Sequence, residues 1–177
     1  MTTVERKPLI EMRGLQKHFL AKKSFDKSKQ VFLKAVDGVD LTIYSGETVG
    51  LVGESGCGKS TLGRTVLKLH PITGGQVFYD GDEITAYSEK QMHPLRKKMQ
   101  LIFQDPFASL NPRKTIYESV RAPLEVFHEG DESARKVKVS EMLEVVGLGT
   151  KYLNKYPHEM SGGQRQRVAI ARALIND

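Results

Sequence analysis

Apolar and polar residues alternate with the two-residue period of a β-strand in several short segments of the chain. The pattern is cleanest over residues 39–43, which end at a turn over residues 44–47, and a similar segment covers residues 9–13. Further strands are predicted over residues 47–52, 76–79 and 99–103, from short apolar runs rich in β-branched or aromatic residues. The polar stretch 21–30 predicts a surface loop.

Helical spacing dominates between residues 115 and 158, where apolar positions recur at i, i+3, i+4 and i+7. Asp131 is the predicted N-cap of one helix, which Gly147 and Gly149 terminate. Its apolar stripe is Val139, Met142, Leu143 and Val146. A second helix is predicted after residue 61, with Leu62, Val66 and Leu69 on one face.

A glycine-rich segment separates the predicted strand 47–52 from that second helix, and it fits the phosphate-binding pattern G-x-x-x-x-G-K-[ST]. Its glycines are expected to allow φ angles at which backbone N–H groups surround an anion, while Lys59 supplies charge and Ser60 a hydroxyl for Mg²⁺. The alternative is a glycine-rich turn that binds nothing. The predicted nucleotide-binding residues are Gly53, Glu54, Ser55, Gly56, Cys57, Gly58, Lys59, Ser60 and Thr61.

A second candidate anion site lies at Ser161, Gly162, Gly163 and Gln164. Ser161 and Gln164 have capping-box spacing, which predicts a helix start, and two glycines in a first helical turn are not explained by helix propensity. Bare backbone at a positive helix end suits an anion. An ordinary capped helix is the alternative.

Two single residues complete the candidate set. Phe19 closes the first strand and is either an aromatic that stacks on adenine or an ordinary core residue. Gln104 ends the predicted strand 99–103 and is either a metal or water ligand or a plain strand-end glutamine.

Composition narrows the class of protein. The 177 residues are 39% hydrophobic and carry a net charge of +6, which fits a globular domain. We expect no membrane span and no secretory signal, and a cytoplasmic location. The one cysteine, Cys57, cannot form an internal disulfide; it is a small residue that fits the loop or a redox switch.

Taken together, the loop at 53–61, Gln104 and Met160–Gln164 resemble the ATPase subunits of ABC transporters. The segments 35–39, 50–64, 103–106, 109–113 and 156–158 are similar to ATPase subunits of oligopeptide and dipeptide importers. The resemblance implies an α/β fold of the P-loop NTPase type, with an antiparallel β subdomain and a helical subdomain over residues 105–160. It also implies a peripheral place on the inner face of the plasma membrane.

The same resemblance implies a role for each candidate. Phe19 would stack on adenine, and the loop would wrap the phosphates of ATP. Lys59 and Gln104 would act in catalysis, with Ser60 and Gln104 meeting Mg²⁺. The segment 161–164 would touch the γ-phosphate bound by a second ATPase subunit, and Gln104 would signal to transmembrane permease subunits.

Two departures from the family pattern stand out. Met160 begins the segment 160–164, the signature of this family, at a position where the family usually has leucine. This swap conserves volume, and we expect it to be mild. The family's apolar strand ending in Asp and Glu and its switch His are not among these residues, so we expect a nucleotide-binding domain incomplete at its C-terminus. Exposed apolar faces would follow.

Three other functions are weighed against peptide import. A GTPase or small-molecule kinase would carry Asn-Lys-x-Asp, and residues 154–157 lack its Asp. A soluble ABC-type ATPase acting on nucleic acid is suggested by the positive charge and would bind DNA or RNA in a salt-dependent way. A fragment that does not hydrolyse ATP is the third.

Overall fold

The computed structural model describes residues 6–22, 30–105 and 109–176. These residues divide into two compact units, with the boundary between Met92 and His93. Most of the predicted loop 21–30 lies outside the described residues. No helix in the described ranges is long and apolar enough to cross a membrane.

The first unit is built on an antiparallel sheet of four strands in the order β2-β1-β3-β4. The strands are β1 (Pro8–Lys22), β2 (Val31–Tyr44), β3 (Gly74–Tyr79) and β4 (Asp82–Glu83). The central strand β1 pairs Met12 with Leu41 on one side and with Val77 on the other. β1 and β2 are longer than predicted because they pair with each other over nearly their whole lengths.

Helix α1 (Lys59–Val66) follows the glycine-rich loop and buries Leu62, Thr65 and Val66. The prediction that Leu69 lies on this face is wrong, since the helix ends before it and the side chain is exposed. Helix α2 (Glu89–Arg96) lies where the first unit gives way to the second.

The second unit is helical. It contains α3 (Ile116–Val126), α4 (Glu132–Val145), α5 (Gly162–Leu174) and the short 3-10 turns Thr150–Tyr152 and Pro157–Glu159. Asp131 caps α4 as predicted, and Val139 and Leu143 of the predicted stripe are fully buried. The core joins all three helices and includes Met160, Val168 and Ile175.

Two predicted strands are not formed. Residues 47–52 and 99–103 have no regular secondary structure, and Leu51, Val52, Ile102 and Phe103 are exposed. A strand needs a hydrogen-bonded neighbour, and the one sheet within the described ranges ends at β2 and β4. Apolar composition alone therefore predicted the wrong local structure here.

Candidate functional site

The glycine-rich loop ends at Gly58, which is the N-cap of α1 and has φ +100°. A Cβ at this position would lie 2.2 Å from the carbonyl oxygen of Ala35 in β2. Gly56 also has a positive φ, of +82°. The expectation of such angles is wrong for Gly53, whose φ is not positive; there a Cβ would instead lie 2.8 Å from the Cys57 sulfur.

Lys59 turns its ammonium group back onto the loop. Its Nζ donates to the carbonyl oxygen of Gly53 at 2.7 Å and to that of Glu54, and lies 3.4 Å from the Cys57 Sγ. The positive charge is thus held by the loop's own backbone. An anion on the loop would compete with these carbonyl oxygens for the ammonium.

The first turn of α1 has no side-chain cap. Ser60 is exposed at this end of the helix. A cavity of about 420 Å³ adjoins the loop and is lined by Lys34, Asp37, Cys57, Gly58 and Lys59 together with apolar residues. An uncapped helix end beside an open cavity is suited to an anionic ligand.

Phe19 is half-buried near the end of β1. The Lys17 ammonium lies 4.7 Å from its ring centroid, and the His70 ring meets it edge-on at 5.4 Å. Lys17 is itself buried, so one neighbour of the Phe19 ring is a buried cation. Phe19 is therefore outside the fully buried core, and its stacking role stays a prediction.

Two charged residues of β2, Lys34 and Asp37, line the cavity beside the glycine-rich loop. Asp37 bonds the Lys34 ammonium at 3.0 Å and His18 Nε2 at 2.9 Å. The bond from Lys34, followed by that from His18, lowers the pKa of the Asp37 carboxyl. This carboxylate offsets part of the positive charge near the loop.

Gln104 is exposed in the second unit and does not end a strand. The segment beyond it is joined to α5, because Arg172 of α5 donates to the Ser109 carbonyl oxygen at 2.6 Å. Burial lowers the pKa of the Arg172 guanidinium. A half-buried cation thus joins the signature helix to the segment after Gln104.

Ser161 caps α5 in the predicted capping box. Its hydroxyl accepts from Gln164 N at 3.3 Å, and its own N–H donates to Gln164 Oε1 at 2.9 Å. A Cβ built at Gly162 or Gly163 would meet nothing within 4 Å. The backbone of this first turn is therefore open to a ligand.

The segment just before Ser161 is held by the burial of one residue and by the hydrogen bonds of another. Met160 is buried in the core of the second unit, and the mild effect expected of its replacement for leucine stays a prediction. The ion pair with Lys155, together with the Tyr156 N–H, lowers the pKa of the Glu159 carboxyl. The start of α5 is thus held from its N-terminal side.

The predicted site residues fall into two groups, one in each unit. Phe19 and the loop 53–61 belong to the first unit, whereas Gln104 and residues 161–164 belong to the second. No cluster of three or more His, Cys, Asp or Glu suited to a metal occurs in the described parts of either unit. The Mg²⁺ prediction therefore rests on Ser60 and Gln104.

Sequence reasoning missed two residues that shape these groups. Ala35 limits position 58 to glycine, and Tyr152 bonds Gln164 Nε2 through its hydroxyl at 2.9 Å. Neither carries a local sequence signal, because each contact depends on how the chain folds. Tyr152 is visible in the sequence only as one more aromatic before the signature.

Comparison with known proteins bears on these two groups. The family model described as "ABC transporter" matches residues 36–177, which include the phosphate loop, Gln104 and the segment 161–164. The chain belongs to this family. Resemblance to the ATPase subunits of ABC transporters, predicted from the sequence, is confirmed.

Curated relatives of this ABC transporter chain include two proteins of Bacillus subtilis. The oligopeptide transport ATP-binding protein AppF is 45% identical over 98% of this chain and 53% of its own length. The oligopeptide transport ATP-binding protein OppF is 45% identical over 96% of this chain and 54% of its own length. The chain spans about half the length of the curated relatives it matches.

Solved ABC cassettes have the same fold. The dimeric structure of MJ0796, a bacterial ABC transporter cassette, has a TM-score of 0.80 at 32% identity, over 94% of this chain and 69% of that one. A dimeric post-hydrolysis state of MJ0796 bound to ADP and Pi has a TM-score of 0.79 at 30% identity, over the same shares. The predicted fold class, a P-loop ABC ATPase, is therefore confirmed.

Proposed function

We propose that this chain is the nucleotide-binding part of an ABC transporter subunit that couples ATP binding and hydrolysis to import of oligopeptides or dipeptides. The observation that carries the proposal is the phosphate loop. Gly58 leads into an uncapped helix, and Lys59 holds its charge on the same loop. The relatives named as oligopeptide transport proteins support peptide as the cargo.

In this proposal the first unit binds ATP. Backbone N–H groups of residues 53–61 hold the phosphates, and the Lys59 ammonium leaves the carbonyl oxygens of Gly53 and Glu54 to contact them. Phe19 stacks on adenine. Nucleotide binding therefore exchanges bonds within the loop for bonds to phosphate.

Mg²⁺ fits the proposed site by donor chemistry. The Ser60 hydroxyl and the Gln104 amide oxygen would hold the ion, since each is a hard oxygen donor of the kind that Mg²⁺ prefers. When bound, the ion would neutralise phosphate charge. Lys59 and Gln104 are the proposed catalytic residues of this chain.

The proposed partners are a second ATPase subunit and transmembrane permease subunits on the inner face of the plasma membrane. The open first turn of α5 would meet the γ-phosphate held by the second ATPase subunit. Both MJ0796 structures are dimers, which supports this pairing. We also propose that residues 105–160 form the helical subdomain that serves the permease side.

Nucleotide binding by the purified chain tests the loop. Lys59→Ala should weaken MgATP affinity at least about tenfold, because a charge-assisted contact is worth roughly 1.5–3 kcal/mol. The matched control is Lys90→Ala, which removes an exposed lysine from α2. Equal affinity of both variants, or a preference for GTP in competition, would overturn the proposal.

Turnover and cargo need a second experiment. The chain is compared with a form continued at residue 177 by the corresponding C-terminal part of AppF, and each is assayed for phosphate release. The extended form, placed in a peptide-importing host that lacks its own ATPase, should restore growth on peptide as sole amino-acid source. If the extended form carrying Lys59→Ala supported the same growth as the unmodified extended form, coupling to import would be refuted.

A further inference from the structure

The side chain of Gln164 is held at both ends. Its Oε1 accepts the N–H of Ser161 at 2.9 Å, as a capping box requires, and its Nε2 donates to the Tyr152 hydroxyl at 2.9 Å. Because the Ser161 N–H is a donor only, the oxygen of the amide must face it, and the nitrogen must face Tyr152. The second bond therefore fixes the direction of the amide.

Tyr152 is well placed to act as an anchor. It ends the 3-10 turn Thr150–Tyr152, where its N–H donates to the Gly149 carbonyl oxygen at 3.3 Å. Its carbonyl oxygen accepts from Lys155 N at 3.0 Å, and its ring packs against the core of the second unit. The hydroxyl that meets Gln164 thus projects from a supported ring.

The first turn of α5 is exposed beside this contact. Gly162 and Gly163 are both exposed, and Gly163 lines a cavity of about 340 Å³. Its polar lining includes Lys151, Tyr152, Ser161, Gln164 and Arg167. The capped start of α5 therefore borders an open polar cavity.

We propose that Tyr152 is a positioning residue of the nucleotide site, acting through Gln164. Its hydroxyl keeps the Gln164 amide inside the capping box, so that the backbone of Gly162 and Gly163 is already arranged for phosphate. The inference rests on the proposed function, in which this turn meets ATP bound to a second ATPase subunit. Without the hydroxyl, the Gln164 amide can rotate away. Ordering it again then adds to the free-energy cost of dimerisation on ATP.

The experiment uses the extended form and the variant Tyr152→Phe, which keeps the ring and removes the bond. We expect the ATP concentration that gives half-maximal dimerisation, and the KM for hydrolysis, to rise about three- to tenfold, the range of one neutral hydrogen bond. MgATP affinity of the monomer and the thermal unfolding midpoint should stay unchanged. A change in those two instead would show a merely structural role and refute the proposal.

Tyr156→Phe is the matched control: Tyr156 lies four residues after Tyr152, and its exposed ring stacks on His158 with the ring centroids 5.7 Å apart. It should leave dimerisation unchanged. Gln164→Ala should lose at least as much as Tyr152→Phe, and the double variant should be no worse than Gln164→Ala alone. Additive losses would mean that Tyr152 does not act through Gln164.

Failure of the inference differs from failure of the proposed function. If the unmodified extended form neither binds nor hydrolyses ATP, the function is wrong and the role of Tyr152 falls with it. If that form hydrolyses ATP and Tyr152→Phe matches it in KM and dimerisation, only the positioning role is wrong.

Discussion

At the scale of single residues, position 58 is the most constrained point of the candidate site. Gly58 combines a left-handed φ with a carbonyl oxygen only 2.2 Å from where a Cβ would be. Gly63, five residues further on inside α1, has neither restriction. The two glycines therefore separate a local requirement of the loop from the general effect of adding a methyl group.

We predict that Gly58→Ala abolishes measurable MgATP binding, because the loop must shift away from Ala35 to admit the methyl group. Gly63→Ala should keep binding and raise the free energy of unfolding by about 0.5–1 kcal/mol, since alanine favours a helix over glycine. Calorimetric titration and urea unfolding measure the two effects. Normal binding by Gly58→Ala would contradict the crowding seen at this position.

The candidate residues could be named from sequence because their chemistry is local. Lys59 and Ser60 are fixed by the spacing of the motif, and the capping box Ser161–Gln164 spans four residues. The contacts that tune them are not local. Tyr152 meets Gln164, and Ala35 lies against Gly58, only because the chain folds back on itself. No spacing rule could therefore have found them.

At the scale of elements, the helix starts differ in a consistent way. α3, α4 and α5 each have a side-chain cap, whereas α1 has none. The cap of α3 was not predicted, although Thr115 and Glu118 have the same spacing as Ser161 and Gln164. The strands at 47–52 and 99–103 were predicted wrongly, because a strand depends on a neighbour and a cap depends only on its own turn.

We predict that Asp131→Ala lowers the free energy of unfolding by about 1 kcal/mol, the usual cost of removing an N-cap. The lost contact is the bond from Ala134 N to Asp131 Oδ1, 2.8 Å long. Asp131→Asn keeps an acceptor at the same place and should recover most of the loss. Urea unfolding of the three proteins measures this; equal losses for both variants would indicate that charge matters more than capping.

The cap of α3 gives a pH-dependent prediction. Bonds from the Thr115 N–H and hydroxyl lower the pKa of the Glu118 carboxyl below its ordinary 4.5. A lowered pKa means that the stabilisation is complete above that value and is lost as pH falls through the folded-state pKa. The difference in urea midpoint between wild type and Glu118→Gln should therefore shrink between about pH 6 and pH 3. A constant difference would contradict this.

At the scale of the whole molecule, apolar surface lies on residues that sequence reasoning assigned to strands. Val52 is 92% exposed and Leu51 is 51% exposed. Large exposed apolar patches are sites of association. These two side chains belong to no strand, so the predicted exposure of apolar sheet faces stays a prediction.

We predict that the 177-residue chain self-associates at micromolar concentration and that Leu51→Ser with Val52→Ser reduces this association. Leu33→Ser is the control, since Leu33 is 61% exposed on the paired strand β2. Sedimentation velocity measures the distribution of species. An equal reduction by the control would place the association on the sheet instead.

The contact between Gly58 and Ala35 also has a consequence for the order of events during synthesis. At about 5–20 residues per second, Ala35 leaves the ribosome roughly one to five seconds before Gly58. The β1–β2 ribbon ends its pairing at Tyr44, ahead of the loop. The surface that shapes the phosphate loop can therefore be complete before the loop itself has been made.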